Sequence, residues 1–279
     1  MKRTVVSIAL LWGLSACIGP MAAGPGGGLM YQVPDAPTVT YITGDTSNID
    51  INAGPMGSLR MRGTGTATLA MTFERSPDGV QVTATFQELN ARLSQPMGGA
   101  QTADEDDLVG PLVFTMDAQG HSNLVSLPEM KGQAAELAGP HAIAYQFFPL
   151  LPGGAVDPDA TWTDTIHYEA EVGSGETTST TVMTYTLEGD TVVDGMRLLK
   201  IGMEGTADVV AFGVTEGMEV TQVFSGDITG TALWDPARSL YVGGYSEADM
   251  AGTVEVPAAG MPPMPLTVSA RSHVKLQAN

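Results

Sequence analysis

The alternation of apolar and polar side chains around a tight turn constrains the fold of this chain more than any other feature. Leu69, Met71 and Phe73 alternate with polar residues before the turn at 76–79, which reads Ser-Pro-Asp-Gly. A matching alternation follows over 80–86. A period of two residues on both sides of a Pro-Asp-Gly turn predicts a β-hairpin with one buried face.

Strand patterns continue along most of the chain. Residues 111–116 and 122–127 flank the turn 117–120 and predict a second hairpin. Further strands are predicted at 161–172, 177–188, 196–206, 219–234, 239–246, 248–256 and 266–276. The chain has 34 glycines and 18 prolines, and only 15% of its residues are charged. This composition is typical of a mainly β protein with many turns.

One segment, residues 128–151, predicts helix instead. Glu129, Met130 and Leu137 fit helical spacing, and Gly139-Pro140 then interrupts the pattern. A second short helix is predicted over 141–148. The sequence therefore predicts one or two short helices within a protein that is otherwise β-sheet.

The folded region also shows a weak internal similarity. Residues 114–120 and 232–238 each read as an apolar strand end, an aspartate turn and the start of a further strand. This similarity predicts that two halves, 31–152 and 153–279, are related, although it is short enough to arise by chance.

The N-terminus has the layout of an export signal. Lys2 and Arg3 precede the apolar run 4–13, which is shorter than the roughly 20 residues of a membrane-spanning helix. The run ends in Leu14-Ser15-Ala16-Cys17, which resembles the lipobox of bacterial lipoproteins. The resemblance implies that residues 1–16 are a signal peptide and that Cys17 becomes the lipidated N-terminus. The alternative is an ordinary secretory signal with a chance cysteine.

The residues after Cys17 extend this interpretation. The glycine-rich stretch 19–28 predicts a flexible tether, so residues 17–30 are assigned to the lipidated cysteine and tether and 31–279 to the β-rich domain. Ile18 stands where the family in diderm bacteria tends to carry Asp for inner-membrane retention. The resemblance thus implies an outer-membrane anchor facing the periplasm.

Cysteine count and charge exclude several classes of protein. Cys17 is the sole cysteine, so neither a disulfide framework nor a cysteine-built metal site can form. The formal net charge is −19. An acidic surface of this kind repels phosphate backbones, which argues against nucleic-acid binding.

A second resemblance concerns the body of the chain. One segment is similar to a segment of uncharacterised bacterial envelope lipoproteins: Phe147-Phe148-Pro149-Leu150-Leu151-Pro152, followed by Asp159-Ala160-Thr161-Trp162. In those lipoproteins Gly usually stands at the position of Asp159. The overall layout also resembles the lipoprotein-carrier folds of the LolA and LppX kind. This likeness implies a large curved antiparallel sheet, a half-barrel that holds acyl chains beneath a helix.

Motifs of catalysis and metal binding are absent from the sequence. It has no G-x-S-x-G, H-E-x-x-H or P-loop pattern. The histidines, at positions 121, 141, 167 and 273, lack metal-ligand spacing, and His121 is expected to be solvated in its turn. The acidic run 104–107 predicts a mobile solvated loop rather than a Ca²⁺ site. The sequence therefore predicts no catalytic residues, no cofactor-binding residues and no metal ligands.

The methionines leave one further alternative. Met61, Met71, Met116 and Met183 fall on alternating strand positions and predict core packing. Met261 and Met264 lie in a proline-rich loop, where thioethers could bind Cu(I), but the loop lacks a dense cluster.

These observations lead to three functional hypotheses. The favoured one is an envelope lipoprotein without catalysis, anchored to the membrane through Cys17, with a structural role or an envelope protein as its partner. The alternative is binding or transfer of a lipid or other apolar ligand in the cavity of the curved sheet. A hydrolase is the least favoured, and no cofactor is predicted.

Overall fold

The computed structural model of the chain describes residues 28–54, 57–95, 99–172, 175–215, 218–260 and 262–277. The predicted signal peptide, Cys17 and residues 18–27 of the tether lie outside these residues. No helix in the described ranges is both long enough and apolar enough to cross a membrane.

The described part of the chain is built mainly from antiparallel strands. The strands are β1 (Thr38–Asn52), β2 (Ser58–Ser76), β3 (Gly79–Gln95), β4 (Gly99–Asp104), β5 (Leu108–Val109), β6 (Leu112–Met116), β7 (Ser122–Ser126), β8 (Glu129–Met130), β9 (Thr161–Val172), β10 (Gly175–Val193), β11 (Met196–Thr215), β12 (Met218–Asp235), β13 (Leu240–Glu255) and β14 (Met264–Leu276). Two short helices, α1 (Ala134–Leu137) and α2 (Pro140–Gln146), lie between β8 and β9.

Most strands belong to one sheet, which curves into a half-barrel. Its order is β7-β6-β3-β2-β1-β14-β13-β12-β11-β10-β9, and β4 pairs with the far part of β3. The first and last strands of the chain pair in the middle of the sheet, from Tyr41 opposite Leu276 to Ile51 opposite Leu266. The edge strands are β7 and β9, and α2 contacts both of them. The predicted mainly β, curved antiparallel architecture is confirmed.

The concave face of the sheet and the segment after α2 form the core. Its largest fully buried side chains are Trp234, Tyr41, Tyr185, Phe114, Leu69, Met71, Leu112, Met116, Leu150, Leu151, Leu198 and Ile201. The predicted hairpin accounts for several of these residues, because the alternation of β2 and β3 directs every second side chain inward.

Hydrogen bonds fix the segment after α2 against the sheet. The Tyr31 hydroxyl donates to the carbonyl of Pro149 at 2.7 Å, and the Trp162 indole donates to the carbonyl of Leu150 at 2.9 Å. Leu29 also forms a bridge with this segment: its N–H donates to the carbonyl of Gly154 at 2.8 Å, and its carbonyl accepts the N–H of Gly153 at 3.0 Å. The start of the described chain is therefore bound beside this segment.

Two predicted boundaries are wrong. Glu129 and Met130 are not helical but form β8, because Met130 pairs with Leu108 of β5 and Gly132 then takes the left-handed conformation. Residues 239–246 and 248–256 are not two strands but the single strand β13. Their pairing with β14 continues without a break across Glu247, so no turn separates them.

The two aspartate turns have similar hydrogen bonding. Asp117 accepts backbone N–H groups from Gln119 and Gly120 in the β6–β7 turn. Asp235 accepts those of Ala237 and Arg238 in the β12–β13 turn. Each carboxylate satisfies backbone donors that the turn leaves unpaired. The relation between residues 31–152 and 153–279 stays a prediction.

Candidate ligand-binding cavity

A cavity lies between the concave face of the half-barrel and the helical segment. Its volume is about 670 Å³, within the range of small-molecule sites. Its apolar walls are formed by Phe86, Leu89, Ile143, Phe147, Ile166, Met183, Met203, Ile228 and Val274.

Methionine side chains lie across glycines on one wall of this cavity. The Met183 side chain covers Gly205 of β11, and the Met203 side chain covers Gly230 of β12. A Cβ atom at either glycine would collide with the methionine above it. Because methionine is flexible and polarizable, this wall can adapt to an irregular apolar ligand.

A polar patch interrupts the apolar lining. It consists of the inward-facing residues Thr43, Asp45, Ser47, Ser246 and Ser272 of β1, β13 and β14. Asp45 lies opposite Gly65 on one side and Ser272 on the other. Asp45 is among the residues that line the cavity, and its side chain is exposed to the open space there.

The environment of Asp45 disfavours its charged form. Desolvation raises the pKa of its carboxyl, and this effect exceeds the opposing hydrogen bond from Ser272 and the charge of His273. A carboxylate in such a place gains from a ligand that donates hydrogen bonds or carries positive charge.

One buried polar atom in the cavity wall has no hydrogen-bond partner among the described residues. The Thr181 hydroxyl of β10 is buried, and the side chain is 3% exposed. Its oxygen has no hydrogen-bond partner within the described residues. Because buried hydroxyls are normally paired, this one is a candidate ligand contact.

The helix α2 forms the opposite wall. Ile143 and Phe147 face the cavity, and Tyr145 stacks on Tyr168 of β9 with the ring centroids 5.3 Å apart. His141 stands in the first turn, as the sequence predicts, and partial burial lowers its pKa. The helix thus packs against an edge strand while it covers the cavity.

The gap between the edge strands β7 and β9, here called the seam, is bridged by His121. Its Nδ1 lies 3.0 Å from Asp117 Oδ2, and its Nε2 lies 2.8 Å from Asp164 Oδ2 of β9. The predicted turn histidine is partly solvated, with 40% of its side chain exposed, but it also has two carboxylate partners, because the β6–β7 turn reaches the opposite edge of the sheet. Asp164 was not predicted as its partner, since the two residues are 43 positions apart.

Protonation strengthens this bridge. Partial burial of His121 lowers its pKa, but hydrogen bonding and charge from Asp117 and Asp164 outweigh burial and raise it overall. Partial burial also acts to raise the pKa of Asp117, but hydrogen bonds from His121 and the backbone lower it overall. Imidazolium between two carboxylates is therefore the favoured state of the seam.

Replacing His121 with glutamine should destabilise the protein more at about pH 5.5 than at about pH 8.5. A raised histidine pKa gives stability that is fully present below about 6.5, the unfolded value, and is lost as pH rises through the folded pKa. The loss should stay below about 1 kcal/mol, since the side chains are partly exposed. Urea unfolding at both pH values measures it.

The matched control is His167→Gln on the outer face of β9, where His167 contacts Thr180. Equal losses for the His121 variant at both pH values would show that the imidazolium does not bridge the seam.

The remaining sequence candidates, apart from Met183, do not line the cavity. The acidic run is exposed to solvent, as predicted, and it forms a 3-10 turn in which Asp104 accepts the N–H of Asp106 and Asp107 accepts that of Asp104. His273 packs over Gly44. Met71, Met116 and Met183 are buried, as core packing predicts, while Met61 is half-buried. Met261 lies outside the described residues.

Within the described ranges, no group of three or more His, Cys, Asp or Glu side chains could hold a metal ion.

A second depression, of about 860 Å³, lies near the far ends of β1, β2 and β14. It is open to solvent and contains the exposed ion pair of Arg60 and Asp50. The cavity beneath α2 is the stronger candidate site, because it lies against the aromatic core and contains the buried Thr181 hydroxyl.

Comparisons with known proteins give distant structural neighbours alone. No protein-family model and no curated protein matches the chain. OmpF of Salmonella typhi, solved with daunomycin, is 7% identical, with 85% of this chain and 97% of that chain covered and a TM-score of 0.23. OccK9 (OpdG) of Pseudomonas aeruginosa is 6% identical, with 88% and 100% covered and a TM-score of 0.22. At such scores the likeness carries no argument about function.

Proposed function

We propose that this chain is a lipid-anchored envelope protein that binds an elongated apolar ligand inside its half-barrel. The observation that carries the proposal is the cavity of about 670 Å³ beneath α2, with its adaptable methionine wall. A concave site of this volume with mainly apolar walls and a few polar groups is typical of small-molecule binding.

The location belongs to the same proposal. The lipobox resemblance places the acyl anchor on Cys17, and Ile18 after it favours the outer membrane, facing the periplasm. The tether leads to Leu29, which pairs with Gly154 beside the helical segment. Catalysis forms no part of the proposal, since the cavity contributes a carboxylate and hydroxyls but no paired nucleophile and base among its described residues.

Replacing Ala248 with tryptophan should abolish ligand binding. Ala248 faces the cavity from the middle of β13, so an indole there would occupy the space that the ligand needs. Native mass spectrometry of the protein from the membrane measures it. We expect a wild-type adduct of lipid mass and none on the variant.

The control is Ala251→Trp, the same substitution on the exposed outer face of the same strand. It should keep the adduct. If the Ala251 variant loses the adduct together with the Ala248 variant, the adduct is not bound in the cavity.

A second candidate function is docking onto an envelope partner. Val210, Phe212 and Val223 lie on the outer face of β11 and β12 and are 44–48% exposed. Apolar side chains grouped on an outer surface favour an interaction site. A wild-type protein that carries no ligand under any extraction condition would favour this candidate over the cavity.

A further inference from the structure

Asp45 is an acidic residue at an exposed position in the lining of the cavity. Strand β1 directs Tyr41, Thr43, Asp45 and Ser47 to the concave face, and Tyr41 at the start of this series is fully buried. The residue opposite Asp45 on β2 is Gly65, which has no side chain to cover the carboxylate. The carboxylate therefore faces the ligand space directly.

No cation of the described chain forms an ion pair with this carboxylate. Two arginines contribute atoms to the cavity wall, but both guanidinium groups bond elsewhere. Arg271 Nε lies 3.0 Å from Glu247, and Arg92 Nε donates to Ser94. The neighbours of Asp45 on the concave face are the hydroxyls of Ser47, Ser246 and Ser272. Its negative charge is left for a ligand to neutralise.

Thr181 provides an independent sign of a polar ligand group. Its buried hydroxyl has no described partner, and β10 places it on a different wall from Asp45. The apolar wall of Met183, Met203 and Ile228 completes the lining. The cavity thus offers one anionic contact, one neutral polar contact and a long apolar surface.

We propose that the ligand is a single-chain amphiphile with a cationic amine head, whose ammonium group pairs with Asp45 while its chain lies along the methionine wall. The inference rests on the proposed function, that the cavity binds an apolar ligand. The ammonium group donates charge-assisted hydrogen bonds to Asp45 and is within the reach of the surrounding serines. The same carboxylate repels fatty acids and other anionic lipids, as does the net charge of −19.

The inference is tested by measuring the binding of three probes that share a dodecyl chain and differ in the head group. The probes are dodecylamine, dodecanol and dodecanoic acid. The protein is the exported chain with Cys17 replaced by serine, which keeps all described residues and needs no detergent. Isothermal titration calorimetry below the aggregation concentration of each probe gives the dissociation constants. The protein with Asp45 intact should bind the amine with a dissociation constant about tenfold or more below that of the alcohol. This is the usual gain from a charged hydrogen bond. The acid should bind most weakly.

Two variants separate the head group from the chain. Asp45→Asn should bring the amine and alcohol to similar affinity, whereas Asp249→Asn on the exposed outer face of β13 should keep the preference. An unchanged preference in the Asp45 variant would overturn the amine inference while apolar binding stands. Probes that bind Ala248→Trp as tightly as the parent chain would instead overturn the cavity as the binding site.

Discussion

Replacing Phe148 with alanine should lower the free energy of unfolding by about 3 to 5 kcal/mol, the range for truncating a buried aromatic side chain. Phe148 is 4% exposed and follows α2 at the base of the cavity. Its ring contacts an aromatic cluster, with centroids 4.9 to 6.3 Å away, that consists of Tyr31, Tyr41, Phe73, Phe114, Phe147 and Tyr241. Removing the ring leaves a void that these rigid neighbours cannot fill.

The effect should extend beyond stability, because Phe148 connects the helical segment to both halves of the sheet. Phe73 and Phe114 lie on the β2–β3–β6 side, while Tyr241 lies on β13. The variant should therefore also lose protection from amide exchange in α2, which depends on this contact for its position.

Urea unfolding, with the midpoint and the slope fitted together, measures the stability loss. The control is Phe212→Ala, the same substitution at a side chain that is 44% exposed on β11. It should change stability by no more than about 0.5 kcal/mol. Similar losses at the two positions would mean that Phe148 is not at the centre of the core.

Local patterns were sufficient to predict the hairpin of β2 and β3. Their alternation, the Ser-Pro-Asp-Gly turn and the pairing of Leu69 with Phe86 all lie within one short segment. The same holds for the β6–β7 hairpin and for α2. Each of these elements is determined by turn residues or by side-chain spacing within a few neighbouring positions. The local sequence is therefore enough to predict where the element lies.

Strand β1 was not predicted, although it joins the two ends of the chain in the sheet. Its concave-facing residues include Thr43, Asp45 and Ser47, so the usual apolar alternation is absent. These residues are polar because they line a cavity rather than a packed core. Its partner β14 lies at the opposite end of the sequence, which leaves no local signal of the pairing.

The candidate site could not be predicted for the same reason. Asp45, Ser272 and Thr181 come from three distant strands, and each alone resembles a surface residue of a β-sheet. The curvature of the sheet and the pairing of β1 with β14 bring two of them together. The seam between His121 and Asp164 has the same origin, since it joins the two edges of one sheet.

Replacing Cys17 with serine should move the protein from the membrane fraction to the soluble fraction. The acyl chains that the lipobox resemblance implies contribute about 0.8 kcal/mol for each buried methylene, so two or three chains hold a protein firmly. Because β1 to β14 are formed without the tether, the released protein should keep its fold and its affinity for the apolar probes. Fractionation after a carbonate wash, with radiolabelled palmitate as tracer, measures the change, and Met21→Ser in the tether is the control that should stay labelled and bound. The Cys17 variant carries the export signal of a secreted protein in place of residues 1–16, because cleavage at a lipobox needs the cysteine and an uncut signal would itself hold the protein in the membrane. If this variant remains in the washed membranes, a part of the molecule other than Cys17 holds it there, and the exposed side chains of Val210, Phe212 and Val223 would be the first to replace.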